Sequence, residues 1–250
     1  MDQRKHWDKI GAQYGDEIFD VFASDRRQVL KDYLTLHANP QHSATDFGCG
    51  TGKALPLLAP VFKTVYGFDI SDALLEQANK RGYRNVVLRQ ADLTKPLRKV
   101  TPVDFVFSCN VIMLPTRAQN MAMLKNVFRA LKPGGTALIV VPSLESMLLS
   151  STRLIEWYAR QGVAANRIPK AEFDYYQGPV TDTIQGLIRI DGVPTQHYTE
   201  PVLGGMLYDA GLRLLTLDKI EYDWNTEFDR PPAWMRAPYP WDWLAECTKP

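Results

Sequence analysis

The heptapeptide Asp-Phe-Gly-Cys-Gly-Thr-Gly at residues 46–52 limits what this chain can fold into. It follows the short apolar run 44–47 and precedes the helical pattern Ala54-Leu55-Pro56-Leu57-Leu58. Gly48, Gly50 and Gly52 leave the turn without side-chain bulk. Backbone can then approach a ligand closely, and the following helix offers its unpaired N–H groups there. Such a turn belongs at the C-terminal edge of a parallel sheet, where open α/β proteins bind cofactors.

The surrounding chain alternates strand and helix. Further strands are expected at 64–69, 85–89, 103–108 and 136–141, the last two apolar enough to be buried on both faces. Helices are expected at 53–59, after a Ser71 cap through Lys80, and from Thr116 to the Lys132-Pro133-Gly134-Gly135 stop. Upstream, residues 4–22 read as a short helix and loop, and Ser24 is expected to cap a helix bearing Val29, Leu30, Tyr33 and Leu34. Five strands separated by helices predict an α/β fold with a doubly wound parallel sheet. Past residue 142 the pattern changes. Residues 143–183 read as helical and irregular, and 184–198 as a hairpin turning at Asp191-Gly192. Thr199 opens a helix to Ala210, and strands are expected at 212–224 and 241–248, the close pair forming an antiparallel edge.

Charge narrows the partners. Lys and Arg number 29 against 28 Asp and Glu, a net charge of +1, which leaves no basic footprint for nucleic acid. Cys49, Cys109 and Cys247 lack CxxC spacing, which points to free thiols in a reducing compartment and to no structural zinc. The first residues lack a signal-peptide core, and the longest charge-free apolar stretch, about 133–144, is too short to span a bilayer. The expectation is a cytoplasmic protein with no membrane partner. Nothing in the sequence bears on oligomeric state.

The dinucleotide fingerprint GxGxxG fails here, because position 53 is Lys. The pattern Asp46-x-Gly48-x-Gly50-x-Gly52 instead resembles motif I of the class I S-adenosylmethionine-dependent methyltransferases of small-molecule type. Gly67-Phe68-Asp69-Ile70-Ser71, Ala91-Asp92-Leu93, the run 104–111 and Leu131-Lys132-Pro133-Gly134-Gly135 extend the resemblance in order along the chain. The resemblance implies a Rossmann-like, seven-stranded, mostly parallel sheet in three layers, with an insertion after the fifth strand. It implies S-adenosyl-L-methionine as cofactor. Asp46 would lie near the ligand's amino group, and Asp69, beside Ile70, would take the ribose hydroxyls. Asp92 would accept from the adenine amino group, the Leu93 N–H would meet a ring nitrogen, and Asn110 would line the methionine part. It also implies an N-terminal lid, with Trp7 and Tyr14 over the cofactor and Tyr14 near the methionine carboxylate. On this reading residues 1–250 are one domain, comprising a lid (1–40), a cofactor core (41–142), an acceptor cover (143–198) and a closing unit (199–250).

The acceptor is less constrained. The Asn/Asp-Pro-Pro-aromatic motif of nucleic-acid amino-methylating enzymes is missing after the fourth strand, where Cys109-Asn110-Val111-Ile112 stands. A small molecule methylated on O or N is therefore expected. Trp157, Tyr158, Tyr175 and Tyr176 are candidates to line its pocket or to shield it, and His197 is the candidate general base. The alternatives are a nicotinamide-dependent oxidoreductase and a non-catalytic cofactor- or partner-binding protein of the same fold.

Overall fold

The computed structural model describes residues 20–97, 100–190 and 192–250. Trp7 and Tyr14, with the expected N-terminal helix, lie outside them, as does Asp191 of the hairpin turn.

The alternating segments form one seven-stranded sheet. In chain order its strands are β1 (Asn39–Phe47), β2 (Phe62–Asp69), β3 (Val86–Gln90), β4 (Val103–Cys109), β5 (Leu131–Pro142), β8 (Arg213–Glu221) and β9 (Trp241–Thr248). The short hairpin β6 (Leu187–Ile190) and β7 (Val193–Gln196) stands apart from it. The spatial order is β3-β2-β1-β4-β5-β9-β8. The first five strands pair in parallel, whereas β9 runs antiparallel to both β5 and β8. The antiparallel strand is thus wedged inside the sheet, and the outermost strand, β8, runs with the parallel set. The sequence-level expectation of an antiparallel edge located the strands correctly but not their order.

Burial on both faces explains the apolar runs. In β5, Ala137, Ile139 and Val141 join one core with Leu203, Met206 and Leu207, while Leu138 and Val140 join the opposite core with Leu30, Leu34 and Leu55. The helices α1 (Val21–Ser24), α2 (Val29–Leu36), α3 (Leu55–Leu58), α4 (Asp72–Asn79), α5 (Arg117–Ala130), α6 (Leu144–Arg160) and α7 (Glu200–Asp209) supply the outer layers and the cover.

The caps show where local reading succeeds and where it slips. Ser71 Oγ accepts from the Leu74 N–H, and Thr116 Oγ1 accepts from the Gln119 N–H, as expected. Ser24 instead closes α1, and α2 is capped by Asp25, whose Oδ2 accepts from Leu30 N–H (2.8 Å) and Oδ1 from Arg27 N–H (3.2 Å). The intervening Gln28 turns through a left-handed φ of 57°, which lets a carboxylate five residues back reach the first helical turn. Thr199 precedes α7 without capping it by its side chain; Glu145 Oε1 takes the Glu200 N–H instead.

Asp25→Ala is expected to lower folding stability by about 1–2 kcal/mol, read as a reduced urea midpoint with an unchanged slope.

Candidate active site

Parallel strands that end together bring distant residues to one edge. β1 ends at Phe47, β2 at Asp69, β3 at Gln90 and β4 at Cys109. Asp46, the glycine turn, Asp69, Ile70, Asp92, Leu93 and Asn110 therefore share the C-terminal edge of the sheet.

The turn after β1 is fixed from three sides. Gly48 N–H (2.7 Å) and Cys49 N–H (3.0 Å) donate to the Phe68 carbonyl of β2. Gly50 N–H donates to Asp69 Oδ2 (2.9 Å), and Ser71 N–H donates to Oδ1 (3.0 Å). Gly48 has φ +73°, and a Cβ there would sit 2.2 Å from Val111 Cγ2, so both backbone and space require glycine. Gly50 and Gly52 also have positive φ, of 51° and 75°.

Asp46 is 3% exposed, and its Oδ2 has no hydrogen-bond partner among the described residues. Burial, and then the neighbouring Asp69 carboxylate, push its pKa up to about 8. An unpaired buried carboxyl is costly, so this oxygen is suited to a donor brought by a ligand. At the third strand, Asp92 Oδ1 accepts from Thr94 N–H (2.9 Å) and Thr94 Oγ1–H (2.6 Å), which holds the carboxyl in a local turn with Oδ2 left over. The Leu93 side chain is core, and its carbonyl takes Asn126 Nδ2–H (2.8 Å). Its N–H meets no described protein acceptor. The Ile70 carbonyl accepts from Gln90 Nε2–H (3.1 Å). Asn110 adopts φ 53°, donates from Nδ2 to Asp242 Oδ2 (3.2 Å) and leaves Oδ1 buried without a described partner. Left-handed backbone at a non-glycine residue is a frequent mark of a functional edge.

Among the described residues no hydrogen bond joins His197 to this group. It follows β7 on a segment pinned to the loop after β4, where Gln196 N–H donates to the Met113 carbonyl and Tyr198 Oη–H to the Ile112 carbonyl. Its N–H donates to the Gly186 carbonyl (2.7 Å), and Nδ1 faces the Thr195 carbonyl (3.1 Å), which makes Nδ1 the protonated nitrogen. Burial lowers its pKa to about 4. So weak a base takes a proton from an acceptor poorly, and the contacts describe a residue that fixes the hairpin. The insertion aromatics bind one another and α6. Tyr176 Oη (2.7 Å) and Tyr175 Oη (3.2 Å) meet Ser151 Oγ, Tyr158 Oη–H donates to Glu172 (2.7 Å), and Trp157 packs edge-on against Phe228 (6.0 Å). Burial raises the thiol pKa of Cys49 and of Cys109 well above the ordinary value, which leaves both as packing residues.

Sequence reasoning missed the Asp20–Lys53 ion pair beside the turn (3.0 Å), the Asn126 clamp on the 93–97 loop, and Asp242. Asn126 carried a faint signal, as a polar residue on the buried face of α5. Asp242 carried none, lying 132 residues from Asn110 between two core tryptophans.

Taken together, a glycine turn, a buried unpaired carboxyl and two further carboxyls along one edge of a parallel sheet define a Rossmann-like domain built to hold a nucleoside-bearing, cationic ligand. Residues 44–135 match the family model described as a methyltransferase domain. This stretch of the chain is therefore a methyltransferase domain, and the cofactor its relatives point to is S-adenosylmethionine. A 52-residue stretch is 40% identical to the probable S-adenosylmethionine-dependent methyltransferase CRG1 of Saccharomyces cerevisiae, covering 21% of this chain and 18% of that protein. The whole chain resembles solved structures at lower identity. The DhpI complex with SAH has a TM-score of 0.64 at 16% identity, covering 99% of this chain and 95% of that one. A chain from the complex of the Haloferax volcanii Trm112 methyltransferase activator with a putative methyltransferase has a TM-score of 0.63 at 17% identity, covering 98% and 97%. The N-methyltransferase NodS from Bradyrhizobium japonicum, with SAH, has a TM-score of 0.62 at 14% identity and full coverage of both chains (100%).

Two outcomes test this electrostatic picture. A ligand ammonium beside Asp46 stabilises the carboxylate, so S-adenosylhomocysteine binding is expected to release up to about one proton near pH 7 and to tighten as pH rises toward 8. Calorimetry in buffers of different ionisation enthalpy reads this, and Asp46→Asn should abolish it. His197, buried neutral, adds stability that is present above its ordinary 6.5 and lost as pH falls toward about 4. The difference in urea midpoint between wild type and His197→Gln should shrink over that window.

Proposed function

We propose that the protein transfers a methyl group from S-adenosyl-L-methionine to a small-molecule acceptor on oxygen or nitrogen. The observation that carries this reading is the series of carboxyls at the ends of β1, β2 and β3, with an unpaired oxygen on the first. Asp46 is matched to the cofactor's ammonium and the turn at Gly48, Gly50 and Gly52 to its methionine end. Asp69 is matched to the ribose, Asp92 and the Leu93 N–H to the adenine, and Asn110 to the region of the reacting methyl. Backbone N–H groups of Gly50 and Ser71 hold the Asp69 carboxylate at the end of β2, where a ribose would lie.

When bound, that cofactor supplies an electrophilic methyl carried on a sulfonium. The chain's part is alignment and exclusion of water, which suit an in-line displacement. The balance of charge and the Cys109-Asn110-Val111-Ile112 sequence after β4 favour a small acceptor over nucleic acid. Among the described residues no helix is long and apolar enough to cross a membrane.

Calorimetric titration with S-adenosylmethionine, S-adenosylhomocysteine and NAD tests the reading, and binding of NAD alone would overturn it. Asp69→Ala is expected to weaken S-adenosylmethionine binding by about 1.5–3 kcal/mol, roughly 10- to 100-fold. Unchanged affinity in that variant means that the ribose is held elsewhere.

A further inference from the structure

Beyond the carboxyls matched to the cofactor, the same edge holds one more. Asp242 opens β9, whose antiparallel course brings its first residues to the edge where the parallel strands end, with Asp242 opposite Pro142 of β5. Its Oδ2 accepts from Tyr222 Oη–H (2.8 Å) and Asn110 Nδ2–H (3.2 Å). No described residue donates to Oδ1. Burial raises its pKa, yet the side chain keeps part of its surface accessible, as a group lining a cleft does.

Glu227 is an exposed residue close to Asp242: desolvation of its carboxyl raises its pKa, the Ser150 hydroxyl tempers the rise, and the Asp242 carboxylate adds to it. Ser150, on α6, is 4% exposed, and its hydroxyl lies beside the Glu227 carboxyl. On the β4 side, the Cys109 thiol is raised first by its own burial and then by the charges of Asp242, Asp46 and Asp20, against Lys53. Lys53 pairs with Asp20 (3.0 Å), and Arg153 Nη1 pairs with Glu156 (2.8 Å) while its Nε is buried without an acceptor among the described residues. Carboxyls whose ionised form burial opposes are stabilised as carboxylates by a cation beside them, and a phenolate, an alkoxide or a carboxylate in the same place offers them nothing.

We propose that this cleft receives the methyl acceptor as an amine, its ammonium donating to Asp242 Oδ1 and yielding a proton there. The proposal rests on the methyl-transfer reading above. The ammonium gives one proton to the Asp242 carboxylate and becomes a neutral nucleophile. Its lone pair forms the N–C bond as the C–S bond breaks, and that pair stays on sulfur. The N-methylated product carries the positive charge, and the proton passes from Asp242 to water. Asn110 and Tyr222 hold the carboxylate through Oδ2 and leave Oδ1 to the acceptor. In the run that carries Glu227, Trp224 and Phe228 stack on each other with ring centroids 5.8 Å apart.

The test uses three matched aromatic sets: phenethylamine and tryptamine, 2-phenylethanol and tryptophol, phenylacetate and indole-3-acetate. Each is titrated calorimetrically into the protein loaded with S-adenosylhomocysteine, and each is assayed with methyl-labelled S-adenosylmethionine. The amines are expected to bind and to be labelled, and the alcohols and acids not. Asp242→Asn should weaken amine binding roughly tenfold or more, with S-adenosylmethionine affinity and urea midpoint kept. Asp242→Glu, which keeps the charge, should retain the preference for amines. Binding or labelling of alcohols or acids in place of amines overturns the proposal. So does failure of every amine to bind while S-adenosylmethionine binds. An equal loss of S-adenosylmethionine affinity in Asp242→Asn also overturns it, because the carboxylate then serves the sulfonium. If wild-type protein binds no S-adenosylmethionine, the methyl-transfer reading fails and this one falls with it.

Discussion

Asp69 commits one oxygen to each wall of a crevice. Oδ2 takes the Gly50 N–H of the turn after β1, and Oδ1 takes the Ser71 N–H at the start of α4. Two connections that would otherwise move separately become one rigid unit. The staple works only because Gly50, at φ 51°, aims its N–H sideways at the neighbouring strand. It also has an electrostatic effect: the charge fixed on Asp69 adds to burial in keeping the Asp46 proton in place. The edge thus pairs one carboxylate held by backbone with a neighbouring carboxyl whose outer oxygen has no described donor. A ligand with a cation at one end and a diol further along meets both conditions at once.

The residues proposed for the cofactor could be placed together on one edge from the sequence because their signals are local. The strand-turn-helix pattern at 46–52, the acid that closes β2 and the acid just past β3 each depend on a few neighbours, and strand ends in a parallel sheet fall on one edge by construction. Element boundaries drifted where geometry overrode type. Ser24 is a fair cap by composition, but the left-handed Gln28 gives that role to Asp25. The family resemblance, not the alternation alone, implied seven strands, and neither fixed the antiparallel strand inside the sheet. That order is set by which faces of β5, β9 and β8 bury together, and no local pattern encodes it.

His197 shows a different limit. Its residue type permits base chemistry, but reactivity depends on surroundings that a one-dimensional reading lacks. With its backbone N–H taken by Gly186 and Nδ1 turned to Thr195, the imidazole is held neutral by burial. The tyrosines of the insertion behave likewise, since Ser151 and Glu172 satisfy their hydroxyls and the rings brace the cover on α6. Chemical potential was readable for each of these residues, and availability was not.

The groups proposed for the acceptor are non-local throughout. Asn110 comes from the end of β4, Tyr222 from just past β8, Asp242 from the start of β9 and Ser150 from α6. Asp242 reaches this edge only because β9 runs against the sheet; a parallel β9 would carry its first residues to the opposite end. The reversed strand is thus the structural reason that a carboxyl stands at this edge within reach of the Asn110 amide. Rigid contact between Asn110 and Asp242 joins the two sets, so the groups matched to the donor and those matched to the acceptor are positioned by the same four-stranded segment, β1-β4-β5-β9.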